Sequence, residues 1–198
     1  MKPDTETLQV YDAQAADYAD LMKSDDIHPI LADFIAALPE NARVLDFGCG
    51  PGFDAAIIAK SGARVDAMDA SAEMVALANA QNGVTAWQAT FDDLDAPDKY
   101  HAILASFSLL HAPRAAMPVH LTAIHRALKP RGIFHIGLKT GTGEARDPLG
   151  RLYTYYTESE LKSLLKTAGF NGFDCHFGSS EGLDGVMADW ITILTRKT

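Results

Sequence analysis

The chain is poor in cysteine: only Cys49 and Cys175 occur in 198 positions. They form neither a metal-type pair nor a redox motif, and a reducing, cytoplasmic setting is expected. No apolar run approaches the ~20 residues a membrane-spanning helix needs, and residues 1–20 lack the apolar core of a signal peptide. Basic residues are also few. Seventeen Lys and Arg stand against 26 Asp and Glu, a net charge of −9. That balance repels phosphate backbones and no dense basic stripe offsets it, so neither nucleic acid nor a membrane is expected as a partner. Internal repeats, low-complexity tracts and interdomain linkers are missing as well. What is present, 47% hydrophobic and 22% charged residues, describes one ordinary globular domain able to bury a sizeable core.

The patterning divides the chain in two. Residues 4–22 read as one helix with Leu8, Tyr11, Ala15 and Tyr18 on roughly one face, and a second helix covers about 28–38. From there strands and helices alternate. Strands are expected at Val44–Asp46, Arg64–Met68, Val84–Gln88, Ala102–Ser106 and Ile133–Leu138. Helices are expected at Asp54–Ser61, at Ala72–Ala80 behind an N-cap at Ser71, and through Met117, Leu121, Ile124 and Leu128 with Pro118 in its first turn. Thr157 and Glu160 form a capping box before the helix Ser159–Ala168, which Gly169 ends. The last two strands, about 172–178 and 189–195, have no helix between them and should pair antiparallel. The expected fold is α/β: a Rossmann-like, seven-stranded, mostly parallel sheet with helices on both faces and an antiparallel C-terminal strand. Residues 1–40 would cover a site on the sheet core of 41–198, the whole forming a single domain.

Ligands of such sheets bind beyond the strands' carboxyl ends, at the switch in strand order. The stretch "VLDFGCGPGFDA", residues 44–55, lies there. It is not a Walker loop, because Gly52 is followed by Phe53 and Asp54 rather than by Lys and Ser or Thr. A dinucleotide fingerprint would need glycine where Phe53 stands. Asp46, ahead of the turn, would repel a pyrophosphate and attract an ammonium group; alternatively it caps Gly48. Asp69 follows 23 positions later at the tip of the second strand, where an acid suits two ribose hydroxyls.

The D-x-G-x-G-x-G spacing resembles motif I of the class I S-adenosylmethionine-dependent methyltransferases. The resemblance continues through "VDAMDAS", "TFDDLDAPDKYHAILASFSLLHAPR" and "RALKPRGIFHIGL", so that it covers residues 42–138 closely. It implies S-adenosyl-L-methionine as cofactor and a methyl transfer to a small-molecule substrate, with no metal. The implied cofactor residues are Asp46, Gly48, Cys49, Gly50 and Gly52 toward the methionine part and Asp69 for the ribose. Ala70 and Met74 would pack beside the adenine, and Ser106 and Phe107 would lie near the methyl group. Many members carry an acid at the position of Thr90. Base recognition would rest instead on the Phe91 backbone and the Asp92 carboxylate. Tyr18 either donates to the cofactor carboxylate or packs, and His28 caps a helix or reaches the site. His111 is the candidate general base, its other reading being a backbone bond that fixes its turn. In "KTGTGEARDPLGRLYTYY", Arg146, Arg151 and Tyr153 are candidate substrate contacts, with Tyr155 and Tyr156 as core. An NAD(P)-binding oxidoreductase and a non-enzymatic module binding S-adenosylmethionine are the alternatives. A monomer or homodimer is expected.

Overall fold

The computed structural model describes residues 3–23 and 27–198. Seven strands form one sheet in the order β3-β2-β1-β4-β5-β9-β8. They are β1 (Arg43–Phe47), β2 (Arg64–Asp69), β3 (Val84–Gln88), β4 (Tyr100–Ser106), β5 (Leu128–Lys139), β8 (Phe170–Glu181) and β9 (Met187–Lys197). β1 to β5 pair parallel, whereas β9 lies antiparallel between β5 and β8. This is the expected architecture, and the C-terminal hairpin supplies its one reversed strand.

The central strands are buried on both faces, hence their nearly continuous apolar runs. On one face, α6 (Met117–Ala127) and α7 (Glu158–Thr167) set Met117, Leu121, Ile124, Leu161 and Leu165 against Leu45, Ile103, Phe134 and Ile136. On the other, α3 (Pro29–Ala36), α4 (Phe53–Lys60) and α5 (Ala72–Asn79) bring Phe34, Ile58 and Ala78 onto Val44, Ala67 and Leu104. The expected caps form: Ser71 accepts from the Met74 amide, and Thr157 and Glu160 complete a reciprocal box. His28 also caps, accepting from the Ile30 amide at the start of α3.

Three details depart from the sequence reading. The segment expected as one helix over 4–22 is two, α1 (Thr5–Ala13) and α2 (Ala15–Met22), broken where Gln14 adopts φ −115° and ψ 20°. In an unbroken helix Tyr11 and Tyr18 would stand about 10 Å apart along the axis; the break brings their rings to 5.5 Å, edge to face. β5 begins at Leu128 rather than Ile133, because Leu128 already pairs with Tyr100 before a register shift. The long connection after β5 folds into a hairpin of its own, β6 (Glu144–Arg146) with β7 (Leu152–Thr154).

One buried group is at odds with its surroundings. His135, on β5, is 3% exposed beside Phe34, and neither ring nitrogen has a partner among the described residues. Burial holds it neutral, its pKa lowered from 6.5 to about 4. Because the folded state resists protonation, this contribution to stability is intact above pH 6.5 and drains as pH falls toward 4. The slope is up to about 1.4 kcal/mol per pH unit. His135→Leu is therefore expected to stabilise the protein by about 1–2 kcal/mol at neutral pH and to flatten its acid limb. Urea titrations at neutral and mildly acidic pH measure both; a less stable variant would show that the imidazole is better satisfied than its surroundings suggest.

Candidate active site

Strand order reverses at β1, which lies between β2 and β4, and the crevice this creates holds the cavity. Its floor is the turn after β1. Gly48, Gly50 and Gly52 all have positive φ, at 81°, 52° and 79°. The Gly48 and Cys49 amides donate to the Met68 carbonyl at 2.8 and 3.0 Å, and the Gly50 amide to Asp69 Oδ2 at 2.9 Å. The turn is thus sewn to the end of β2. A side chain at Gly48 would collide with Ser108, and one at Gly52 with the Ala78 backbone at 2.8 Å.

Asp46 is 2% exposed, and among the described residues its Oδ2 has no partner. The backbone of Ala55 favours the charged form of this carboxyl. Gly48 bonds to Met68 instead, which removes the capping alternative for Asp46. Burial, followed by the charges of Asp54 and Asp69, pushes the Asp46 carboxyl well above the usual carboxylate range. A half-satisfied carboxylate facing a cavity costs free energy that a cationic ligand would offset. Asp69 also lines the cavity; its oxygens accept from the Ser71 and Gly50 amides at 2.9 Å each. Each oxygen keeps a second acceptor site for a hydroxyl. Cys49 lies in the same loop, with burial raising its thiol pKa so that it stays neutral.

At one end the cavity is lined by Ala70, Met74, Thr90, Phe91, Asp92 and His120. Thr90 is committed locally, in a capping box with Asp93. Phe91 packs on Phe47 at 4.8 Å and on His120 at 5.6 Å. At the other end are Phe53, Asp54, Ser106, Phe107 and Met22. Asp54 accepts from the Ser106 hydroxyl, and burial raises its pKa against that bond and the charge of His28. His120 and Asp54 were not singled out from the sequence. Asp54 sits in the first turn of a helix that starts inside the glycine loop, and His120 shares the buried face of Met117, Leu121 and Ile124, so both were within reach of periodicity.

Helices α1 and α2 roof the cavity through Thr7, Leu8, Tyr11, Tyr18 and Met22. Their fastenings bear on several expectations. His111 Nδ1 lies 2.7 Å from the Leu152 carbonyl, which can only accept, so Nδ1 carries the proton. Nε2 then accepts from the Tyr11 hydroxyl at 2.8 Å, and burial lowers the ring's pKa to about 4. Both nitrogens are engaged, so the backbone bond expected as the other reading of His111 is present and the ring ties the roof to the segment of Leu152. Arg146, Arg151 and Tyr153, unlike His111, do not line the cavity. Arg146 clasps Asp4 through two bonds, 3.0 and 2.7 Å, and reaches Glu6 at 3.2 Å. Arg151, 1% exposed, pairs with Asp147 at 2.6 Å and donates to Tyr11 at 3.2 Å. Tyr153 packs against the His111 ring at 4.8 Å. The β6–β7 hairpin turns these side chains toward α1, away from the ligand space. Tyr156 is fully buried, as expected, and Tyr155 packs against Tyr153.

The sheet order and the turn together are those of the class I S-adenosylmethionine-dependent methyltransferases. The family description "Methyltransferase domain" matches residues 44–132. A curated relative, the ubiquinone biosynthesis O-methyltransferase of Xanthomonas campestris pv. campestris, is 31% identical over 129 residues, 60% of this chain and 53% of that protein. The chain therefore spans about half the length of the curated relatives it matches. Among solved structures, the 1,6-didemethyltoxoflavin-N1-methyltransferase of Burkholderia thailandensis, with 1,6-didemethyltoxoflavin and S-adenosylhomocysteine bound, has a TM-score of 0.79 at 27% identity. The alignment covers 98% of this chain and 88% of that one. A Methanosarcina mazei SAM-dependent methyltransferase shares the fold at TM-score 0.74 and 21% identity, over 87% and 98% of the two chains. Among the described residues no helix is long and apolar enough to cross a membrane.

The roof yields a prediction. Arg146→Ala removes the clasp on Asp4 and leaves α1 held through Tyr11 by His111 and Arg151, through Thr7 by Leu152 and through Asp12 by Ser71. Amides of α1 and α2 are expected to exchange hydrogen faster, with exchange across the central strands unchanged. Uniform exchange across the whole chain would contradict a local roof.

Proposed function

We propose that this protein transfers a methyl group from S-adenosylmethionine to a small-molecule acceptor in the cytoplasm, without nucleic acid as substrate. One observation carries the reading: among the described residues the cavity is lined by five aspartates, Asp4, Asp46, Asp54, Asp69 and Asp92, and by no Lys or Arg. A pyrophosphate would enter that field at a cost, which argues against a dinucleotide; a phosphate-free donor with an ammonium group gains from it.

The residues fit that donor. The unpartnered oxygen of Asp46 meets the ammonium, and the turn's glycines keep side chains out of the way. Asp69 takes ribose hydroxyls, while Met74 and Phe91 pack beside the base, with the Asp92 carboxylate at its edge. Bound there, the donor supplies a methyl group activated by its sulfonium. The chain's own contribution is placement and exclusion of water, which the roof over the cavity serves. Where the acceptor's nucleophile arrives protonated, Asp54 is the group to receive that proton: it lines the cavity beside Ser106 and Phe107, and its raised pKa suits a base working nearer neutrality.

The test is transfer of tritium from methyl-labelled S-adenosylmethionine across a panel of metabolites, with S-adenosylhomocysteine binding measured in parallel. Transfer to at least one acceptor is expected. Stabilisation by NAD without stabilisation by S-adenosylhomocysteine would overturn the reading.

A further inference from the structure

One residue of the cavity lining, Phe107, begins a row of aromatic rings. Phe107, in the turn after β4, is 37% exposed although it lines the cavity. Its backbone sits at φ +52°, unusual for a bulky side chain, and its amide is tied to the Gly137 carbonyl at 3.1 Å. The ring lies over Gly137 of β5, where a Cβ would come within 3.2 Å of it. Next to it, on β9, stands Trp190, its indole laid across Gly178 of β8 so closely that any side chain there would overlap the ring. The two rings are 6.1 Å apart at 82°. The His28 ring, at the cap of α3, continues the row 6.4 Å from Trp190 at 72°.

Two glycines on separate strands thus make room for two touching rings, one of which, Phe107, lines the cavity. Stability does not explain the arrangement: a strained backbone that leaves a phenyl ring in solvent costs free energy twice, through conformation and through exposed apolar surface. The shape points to a ligand. Rings at right angles form a corner, and a third flat ring placed in it meets one face-on and the other edge-on, both favoured aromatic geometries. An aliphatic chain would gain only buried area. Phe107 shares the cavity lining with Ser106 and Asp54, so a ring held against it has a carboxylate in the same cavity to meet an N–H or O–H substituent.

We propose that the acceptor is a flat aromatic or heteroaromatic ring carrying a protonated nitrogen or oxygen nucleophile, seated in the corner of Phe107 and Trp190. This rests on reading the neighbouring space as the methyl donor's. The test uses the full chain in a Trp87→Phe background, which leaves Trp190 as the sole tryptophan; Trp87 lies on β3, at the opposite edge of the sheet. Protein loaded with S-adenosylhomocysteine is titrated with catechol, 6-hydroxyquinoline and lumazine, and with ethanolamine, glycerol and glutamate as aliphatic controls. Tritium transfer to each is measured with S-adenosylmethionine. At least one flat probe should quench Trp190 saturably and accept the methyl group. Trp190→Leu should raise the KM for that probe about tenfold while moving S-adenosylhomocysteine affinity less than about twofold, and Phe107→Leu should raise the KM by a similar factor. The proposal is overturned if the donor analogue binds and no flat probe perturbs Trp190 at millimolar concentration, if transfer is confined to the aliphatic compounds, or if the leucine variants keep their KM. Absence of S-adenosylhomocysteine binding to the native chain would instead sink the donor reading, and this proposal with it.

Discussion

Asp46→Asn is expected to bind S-adenosylhomocysteine roughly 30- to 150-fold more weakly, a loss of about 2–3 kcal/mol for a charge-assisted bond, and to melt at a higher temperature than the native chain. The two effects have one cause. Asp46 is buried with one oxygen unpartnered, and burial and the charges of Asp54 and Asp69 all disfavour its ionised form. In the free protein that carboxyl is a burden. Its folded pKa is raised above the unfolded value, so its protonation favours the fold at low pH, and this contribution is lost as pH rises through the folded pKa. Asparagine carries no charge, but presents an amide N–H₂ where the ammonium would lie. A second signature follows from linkage. The ammonium requires the carboxylate form, so ligand binding should release a proton and affinity should rise with pH until Asp46 is ionised in the free site. Calorimetry in buffers of different ionisation enthalpy measures the release. Affinity falling less than about threefold on substitution, with no proton released, would remove Asp46 from the ligand.

The second large effect is on folding. Gly52→Ala places a methyl group 2.8 Å from both Cα and Cβ of Ala78, at a residue whose φ is +79°. The left-handed backbone costs about 1–2 kcal/mol, and the overlap is with the main chain of α5, which cannot rotate away. Together with the usual cost of overpacking, about 1–3 kcal/mol, the loss should be about 3 kcal/mol, lowering Tm by roughly 6–12 °C for a chain of this size. Gly50→Ala is the control. Its Cβ has only Tyr18 nearby, at 3.7 Å, so it should lose about 1–2 kcal/mol from conformation alone and show its effect on ligand affinity. Equal melting temperatures for the two variants would mean that the α4–α5 contact adjusts more freely than its geometry indicates.

The parallel core was readable because its determinants are local. Buried strands read as short apolar runs, and Ser71, Thr157 and Gly169 mark helix ends by chemistry that acts over three or four residues. The glycine turn and Asp69 were legible for the same reason: their spacing is set by one strand–turn–helix unit. The fastenings of the roof were not. Arg146 and Asp4 are 142 positions apart and Thr7 and Leu152 are 145 apart, and nothing local tells an arginine which carboxylate it will meet. Arg151 looked like a substrate contact because an arginine near a site suggests an anion, yet Asp147 four residues earlier already neutralises it. The break at Gln14 escaped notice because the apolar periodicity runs straight through it. His111 was placed at the right wall, but only the fold reveals that Leu152 and Tyr11 occupy both its nitrogens.

The central claim is that this cavity recognises a nucleoside through an ammonium group and not through phosphate. Calorimetric titration of the native chain with S-adenosylhomocysteine, 5′-methylthioadenosine and NAD tests it most directly, because the second ligand keeps the nucleoside and sulfur but lacks the amino acid. The account predicts one site for S-adenosylhomocysteine, binding about 100-fold weaker for 5′-methylthioadenosine, no heat from NAD, and a much smaller gap between the first two in Asp46→Asn. Equal affinity of the native chain for S-adenosylhomocysteine and 5′-methylthioadenosine, or saturable binding of NAD at the same site, would contradict it.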